Sequence, residues 1–290
     1  MDTRINMAES LSHKFGQIIG DVLELAILPN LEVFAKKNNL YLDKKGKRTT
    51  RKGVKLSWTD LNDNKHDLDY VLERGGTETT LGSPAAFIEI AWRRYTKHSR
   101  NKAQEIQGAI IPLAEKYKKS SPFKGVILAG MFTSGALQQL LSQGFTVLYF
   151  PYETVIKAFS AFGIDADFNE KTPENDFQDK IASWKALENP KDVAIELLRL
   201  NEPQVTHFFK ELTNSVSRFI DKVLVLPMYG KQYSHNSVNE ALDFIKSFTP
   251  SLSEMDFIKY EIIISYNTGD RIEASLKDKE DALKFLAEYL

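Results

Sequence analysis

The apolar positions of the chain fall into successive runs of helical and strand period. Over residues 11–38, Phe15, Ile18, Ile19, Val22, Leu23, Leu25 and Ala26 form a broad apolar face at helical spacing, with Pro29 marking a break or kink. Gly16 and Gly20, one helical turn apart, would let this helix approach a neighbour closely. Residues 58–64 read as a short strand and a tight turn. In residues 67–73, Leu68, Tyr70 and Leu72 share one strand face and Asp67, Asp69, Val71 and Glu73 the other. This run breaks at Arg74-Gly75-Gly76 and strand alternation resumes over 84–93, where Ile88, Ile90 and Trp92 oppose Phe87, Glu89, Ala91 and Arg93. A helix entered at Ser99 carries Ala103, Ile106, Ile110, Leu113, Ala114 and Tyr117 at helical spacing. The continuous apolar run 125–130 predicts a strand buried on both faces. A helix over 134–143 follows, with Ser134 as its N-cap and Gly144 as its C-terminal cap, and then a second buried strand over 145–150. The order is helix, about three strands, helix, strand, helix, strand, an α/β fold with a mixed sheet.

From residue 153 the pattern is helical as far as 221, interrupted by an acidic loop over 165–179. Residues 222–290 read as strand, helix, strand, turn, strand and helix, with Asn267-Thr268-Gly269-Asp270 as a hairpin signal. The expected organisation is a core over 1–152, a helical extension over 153–221 and a small α/β module over 222–290.

The chemistry is concentrated in the two strands after residue 66. If they pair through the Gly-rich connection, Asp69 and Glu89 lie side by side. Two carboxylates on a half-buried sheet repel one another and lose hydration unless something neutralises them, and a divalent cation with hard oxygen ligands does so. On the following helix, Lys102 falls about 40° from Ile106 and Glu105 about 100° away, counting about 100° per residue. Lys102 therefore either snorkels to solvent or offers a cation to the two acids.

An acid on one strand, a second acid on the next and a helix packed behind them resembles the PD-(D/E)XK nuclease superfamily. The block 66–106 further resembles type II restriction endonucleases, and the resemblance covers residues from about 10 to 150. It implies a restriction endonuclease-like αβββαβ core, the element order that the periodicity gives independently. It also implies Mg²⁺ held by Asp69 and Glu89, with Glu24 of the first helix as a further acid near the metal. The chain departs from the motif at Ala91, where the family carries lysine. Some members move the lysine, or the second acid, onto the following helix, where Lys102 and Glu105 stand here.

Composition narrows the classes. With 42% hydrophobic and 27% charged residues among 290, the chain is ordinary for a globular protein. It has no cysteine, which excludes disulfide scaffolds and thiolate zinc sites and agrees with a cytoplasmic location. His207 and His235 lack metal-ligand spacing, no apolar run reaches membrane length, and Gly130-Met131-Phe132-Thr133-Ser134 lacks the glycines and lysine of a P-loop. Net charge is only −1, yet nine Lys and Arg fall between Lys36 and Lys55 against the single acid Asp43. A segment so basic, followed by Trp58, suits phosphate contact or a solvated face. Lys44, Lys45, Lys47, Arg48 and Arg51 are therefore DNA-binding candidates, with Arg93, Lys97 and Arg100 nearer the acids. The segment Tyr229-Gly230-Lys231-Gln232-Tyr233-Ser234 reads as a surface loop or a further DNA contact.

The expected function is a metal-dependent DNA endonuclease of the type II restriction kind. By resemblance it would act on double-stranded DNA as a homodimer, beside a companion DNA methyltransferase. A nuclease-fold protein that binds DNA without cutting it, and a repair or RNA nuclease, use the same residues and stay open.

Overall fold

The computed structural model describes residues 10–217, 219–227, 231–249, 258–267 and 269–290. The chain enters as α1 (Leu11–Lys37), whose buried stripe includes Phe15, Ile19, Val22, Leu23, Ile27, Leu31 and Phe34. Ser10 caps it by accepting from the His13 amide. The helix continues through Pro29 as one element, where a break or kink was expected. Asn30 Nδ2 donates to Ala26 O at 2.9 Å and so ties down a carbonyl in the turn that the proline interrupts. Gly16 and Gly20 do not mark a close helix contact. A Cβ at Gly16 would meet only Trp92 Nε1 at 3.6 Å, and one at Gly20 nothing within 4 Å.

The strands that follow are β1 (Leu40–Lys44), β2 (Ser57–Thr59), β3 (Lys65–Asp67), β4 (Tyr70–Arg74) and β5 (Ser83–Arg93). Then come α2 (Ser99–Lys116), β6 (Phe123–Gly130), α3 (Ser134–Ser142) and β7 (Thr146–Pro151). Five strands make one mixed sheet in the order β1-β4-β5-β6-β7, while β2 and β3 pair as a separate hairpin. β1, β4 and β5 run antiparallel, with Leu42 opposite Leu72 and Tyr70 opposite Ile88. β5, β6 and β7 run parallel, with Ile90 beside Ile127 and Ile127 beside Leu148. The continuous apolar run of β6 is explained by its place between β5 and β7, covered on both faces.

One face of this sheet carries Phe87, Ala91, Val126 and Leu128 against Ala103, Ile106, Ile110 and Leu113 of α2 and Ala136 and Leu140 of α3. α3 is capped by Thr133, which accepts from the Ala136 amide, rather than by Ser134. The other face carries Trp92, whose ring lies 5.8 Å from that of Tyr152, and receives α1. Here α4 (Tyr152–Ser160), α5 (Glu174–Lys185) and α6 (Lys191–Arg199) complete the layer, with Phe15 of α1 edge-on to Phe159 and Phe168. The helical segment expected as an extension thus shares the core's own layer, because α1 buries its apolar stripe against α5 and α6. α7 (Glu202–Val216) follows.

The chain forms two compact units, the first ending at Thr213 and the second beginning at Asn214. The second contains β8 (Ile220–Pro227), β9 (Tyr233–His235), α8 (Val238–Ser247), β10 (Tyr260–Tyr266), β11 (Arg271–Leu276) and α9 (Lys279–Ala287). Its antiparallel sheet has the order β11-β10-β8-β9, and Val223, Val225, Ile262 and Ile264 pack against Ala241, Ile245, Ala282 and Leu286 of the two helices. Tyr229, Gly230 and Thr268 of the expected loop and hairpin lie outside the described residues, while Gly269 makes the turn with φ 89°. Among the described residues no helix is long and apolar enough to cross a membrane.

Candidate active site

Asp69 stands at a joint rather than in the middle of a strand. The expected single strand over 67–73 is divided: β3 ends at Asp67 and β4 begins at Tyr70. The reason lies in the pairing on either side. Asp67 is held in the β2–β3 hairpin opposite Ser57, and the Leu68 amide donates to Leu56 O at 2.8 Å. The chain then crosses into the main sheet, where Tyr70 pairs with Ile88. The β4–β5 ladder stops there, and Asp69 Oδ2 accepts the Ile90 amide at 2.8 Å in its place.

Glu89 projects from β5 on the α2 face and is 7% exposed. The main-chain amide of Asp69 reaches its carboxylate, yet Glu89 Oε1 is buried without a hydrogen-bond partner. Burial raises the Glu89 pKa to about 8, helped by the charge of Asp69 and opposed by Lys102. Asp69 is also shifted upward by burial, against the Ile90 amide, the Lys102 ammonium and a hydrogen bond shared with the Glu89 carboxyl. The two carboxyl groups therefore share a pocket in which both cannot ionise freely without a compensating cation.

Lys102, in the first turn of α2, supplies part of that charge. Its Nζ lies 3.9 Å from Glu89 Oε2 and 2.7 Å from Glu105 Oε1, and the side chain is 11% exposed. It does not snorkel away from the acids. Glu105 itself is 65% exposed and turns its carboxylate to Lys102 rather than to Asp69. Ala91, at the position of the family lysine, is buried against the α2 face of the sheet.

On the other side, Glu24 of α1 is exposed at the surface, and partial desolvation followed by the charge of Asp69 raises its pKa. The phenol of Tyr70, between them, is pushed up by burial and then by Glu24 and Asp69. Glu24 is thus within electrostatic reach of the pair without joining it. Among the described residues, no three His, Cys, Asp or Glu side chains converge as a ready metal-ligand group.

No family model matches the chain, and no curated protein matches it. One solved structure, of the protein of unknown function AF1548, is similar over 68% of this chain and 94% of its own, at 10% identity and a TM-score of 0.27. A likeness so faint carries no argument.

The basic segment divides in two. Arg48 is 4% exposed, and its guanidinium donates to Asp43 Oδ2 at 2.6 Å, to both Glu73 oxygens at 2.6 and 3.0 Å, and to the carbonyls of Thr77 and Thr80. Arg51 donates to both oxygens of Asp43 and to the carbonyls of Lys44 and Gly46. These two arginines pin the 45–55 loop and the 75–82 connection to the β1 edge, so their expected DNA-binding role is corrected to an internal one. Buried cations are retained here because two buried carboxylates, Asp43 and Glu73, need them. Lys45 and Lys47 are exposed, while Lys44 pairs with Glu32 at 2.7 Å. Of the cations at the end of β5 and beyond, Arg93 Nη1 donates to Trp92 O, Lys97 pairs with Glu170 at 2.8 Å, and Arg100 is exposed.

Proposed function

We propose that the chain is a metal-dependent nuclease, an endonuclease that hydrolyses phosphodiester bonds in DNA on a core of the PD-(D/E)XK kind. The observation that carries this reading is Glu89 Oε1, buried beside Asp69 with no partner. A buried carboxylate oxygen left unmatched costs free energy in the isolated chain, and hard oxygen donors of this kind suit Mg²⁺. Asp69 and Glu89 are the residues that would hold Mg²⁺, whose chemistry is to polarise a phosphoryl oxygen and acidify a bound water. Lys102 keeps a positive charge 3.9 Å from Glu89 Oε2, where it offsets negative charge growing on a phosphate. Glu105 fixes the Lys102 ammonium from the solvent side. Glu24 tunes the field around Asp69 through α1. In this reading Lys45 and Lys47, with Arg93 and Arg100, take the contacts to a phosphate backbone.

If the enzyme is of the type II restriction kind, the reading extends to double-stranded DNA, a twofold homodimer with one site per strand, and a companion methyltransferase. One observation favours a second reading, a DNA-binding protein that does not cut: the family lysine is replaced by Ala91, and Lys102 is engaged with Glu105 at 2.7 Å. Incubation of plasmid DNA with the protein and Mg²⁺ separates the two. Discrete fragments fit a restriction-type enzyme and a smear an unspecific nuclease. Intact plasmid that is bound but not cut supports the binder.

A further inference from the structure

A cavity of about 600 Å³ opens beside the carboxylate site and runs from Lys102 and Ala91 past Arg93 to Tyr95. A second, of about 630 Å³, is lined by Tyr95, Thr96, Lys97, Asn169, Glu170 and Lys171. Arg94 and Tyr95 line both, so Tyr95 borders the two cavities. The flank is rigid on one side. Arg94 Nε donates to Phe168 O at 2.6 Å and Nη2 to the same carbonyl, and the guanidinium lies 4.0 Å from the centre of the Tyr152 ring and 5.2 Å from that of Tyr95. Asp167 adds a longer contact to Arg94 at 3.8 Å. The other side is loose. Lys97 Nζ lies 5.4 Å from the Tyr95 ring centre and 2.8 Å from Glu170 Oε1, but the two side chains are 61% and 65% exposed. An ion pair so open to water is readily exchanged for another anion.

An aromatic ring flanked by cations along a groove is the arrangement that binds unpaired nucleotides: a base stacks on the ring and the cations follow the phosphates. A base inside a duplex has its faces covered by its neighbours and offers Tyr95 nothing to stack on. The first cavity is lined by Ile90, the neighbour of Glu89 on β5, and by Lys102, 3.9 Å from the Glu89 carboxylate, so a strand lying in it passes close to the proposed site of cleavage. Resting on the nuclease reading above, we propose that Tyr95 is a stacking platform for an unpaired nucleotide next to the cleaved phosphate. In this proposal Lys97 and Lys171 take the phosphates beyond it, and Glu170 holds Lys97 until a phosphate displaces it. The substrate class is then DNA with a single-stranded or opened segment at the site, rather than an undisturbed duplex.

The test is fluorescence anisotropy of the full-length protein, with Ca²⁺ in place of Mg²⁺. The probes are a labelled 15-nucleotide single strand, the blunt duplex of the same sequence, and that duplex with a single-stranded overhang. The single strand and the overhang are expected to bind several-fold tighter than the blunt duplex. Tyr95→Ala should weaken their binding roughly tenfold, in line with the loss of one stacked base, while Tyr95→Phe keeps it. Glu170→Gln should tighten binding a few-fold, and Lys97→Ala should cancel that gain. Tyr95 is partly exposed, and matching thermal melts for the variants establish that they fold. A Tyr95→Ala protein that binds all three probes like the wild type overturns the platform and leaves the metal site standing. A wild-type protein that binds none of them overturns both.

Discussion

Replacing Glu89 by glutamine removes a titrating group from the buried pair with little change of shape. In the folded chain the Glu89 carboxyl titrates near 8 rather than at its ordinary 4.5, so the folded state holds a proton that the unfolded chain has released. The stability this contributes is complete below pH 4.5 and is lost as the pH rises through the folded value. Each pH unit in that window costs about 1.4 kcal/mol, or about 3 kcal/mol between pH 5 and 7.5. For a body of this size that corresponds to a fall in melting temperature of roughly 6–12 °C. The glutamine side chain cannot ionise, so this part of the pH dependence should disappear in the variant. The assay is thermal unfolding of both proteins at pH 5, 6, 7 and 8, followed in the first unit by tryptophan fluorescence, with and without Mg²⁺. Without metal, the wild type should lose stability over this range by several degrees more than Glu89→Gln. With metal at about a hundred times its Kd, the wild type should regain about 2.7 kcal/mol, most clearly at pH 8, where protons no longer compete for the carboxylates. The variant should gain much less. Equal pH slopes in the two proteins, or equal stabilisation by metal, would refute the reasoning.

Asp69→Ala and Glu89→Ala should each abolish plasmid cleavage while circular dichroism and DNA retention on gels stay close to wild type. Lys102→Ala should remove turnover with little loss of stability, read by single-turnover cleavage and melting. Ala91→Lys, although it restores the family motif, should destabilise the protein by about 1–3 kcal/mol in urea unfolding, because position 91 is buried and a longer side chain overpacks it. Arg48→Met should cost about 3–5 kcal/mol by leaving Glu73 buried without its cation, while Asp43 keeps Arg51. Lys45→Ala and Lys47→Ala should leave stability unchanged and each lower the slope of log affinity against log salt by roughly 0.9, if each meets a phosphate.

The parts of the fold that were legible from the sequence are those decided by local period. The apolar run of β6 and the stripe of α2 match the surface they bury, whereas β5 reads as alternating but is buried on both faces from Pro84 to Glu89. What was hidden depends on contacts far apart in the chain. The break at Leu68–Asp69 is set by the Leu68 amide on Leu56 O and by the β2–β3 pairing, neither of which alters the alternation of residues 67–73. Arg48 looks like one more cation in a basic run. It is internal because Glu73, 25 residues on, lies buried on β4 and closes around it with Asp43. A lone acid among nine cations was the available signal, since Asp43 is the point on which both arginines converge. At Pro29 the helix does not break: the lost hydrogen bond is tolerated where α1 is held by its buried stripe, and the Asn30 side chain covers a neighbouring carbonyl. At the candidate site the nearness of Asp69 to Glu89 was expected from a strand that the structure breaks at Asp69, and the partnerless Glu89 Oε1 and the grip of Glu105 on Lys102 are visible only in three dimensions.

The central claim is that Asp69 and Glu89 together hold a divalent metal. Anomalous diffraction from crystals of the protein soaked in Mn²⁺ measures this directly. A peak is expected about 2.1 Å from one carboxylate oxygen of each residue, with Glu89 Oε1 among them, at the distance a hard divalent cation keeps from oxygen. A map with no peak between these two side chains, in crystals whose cleft is open to solvent, would contradict it.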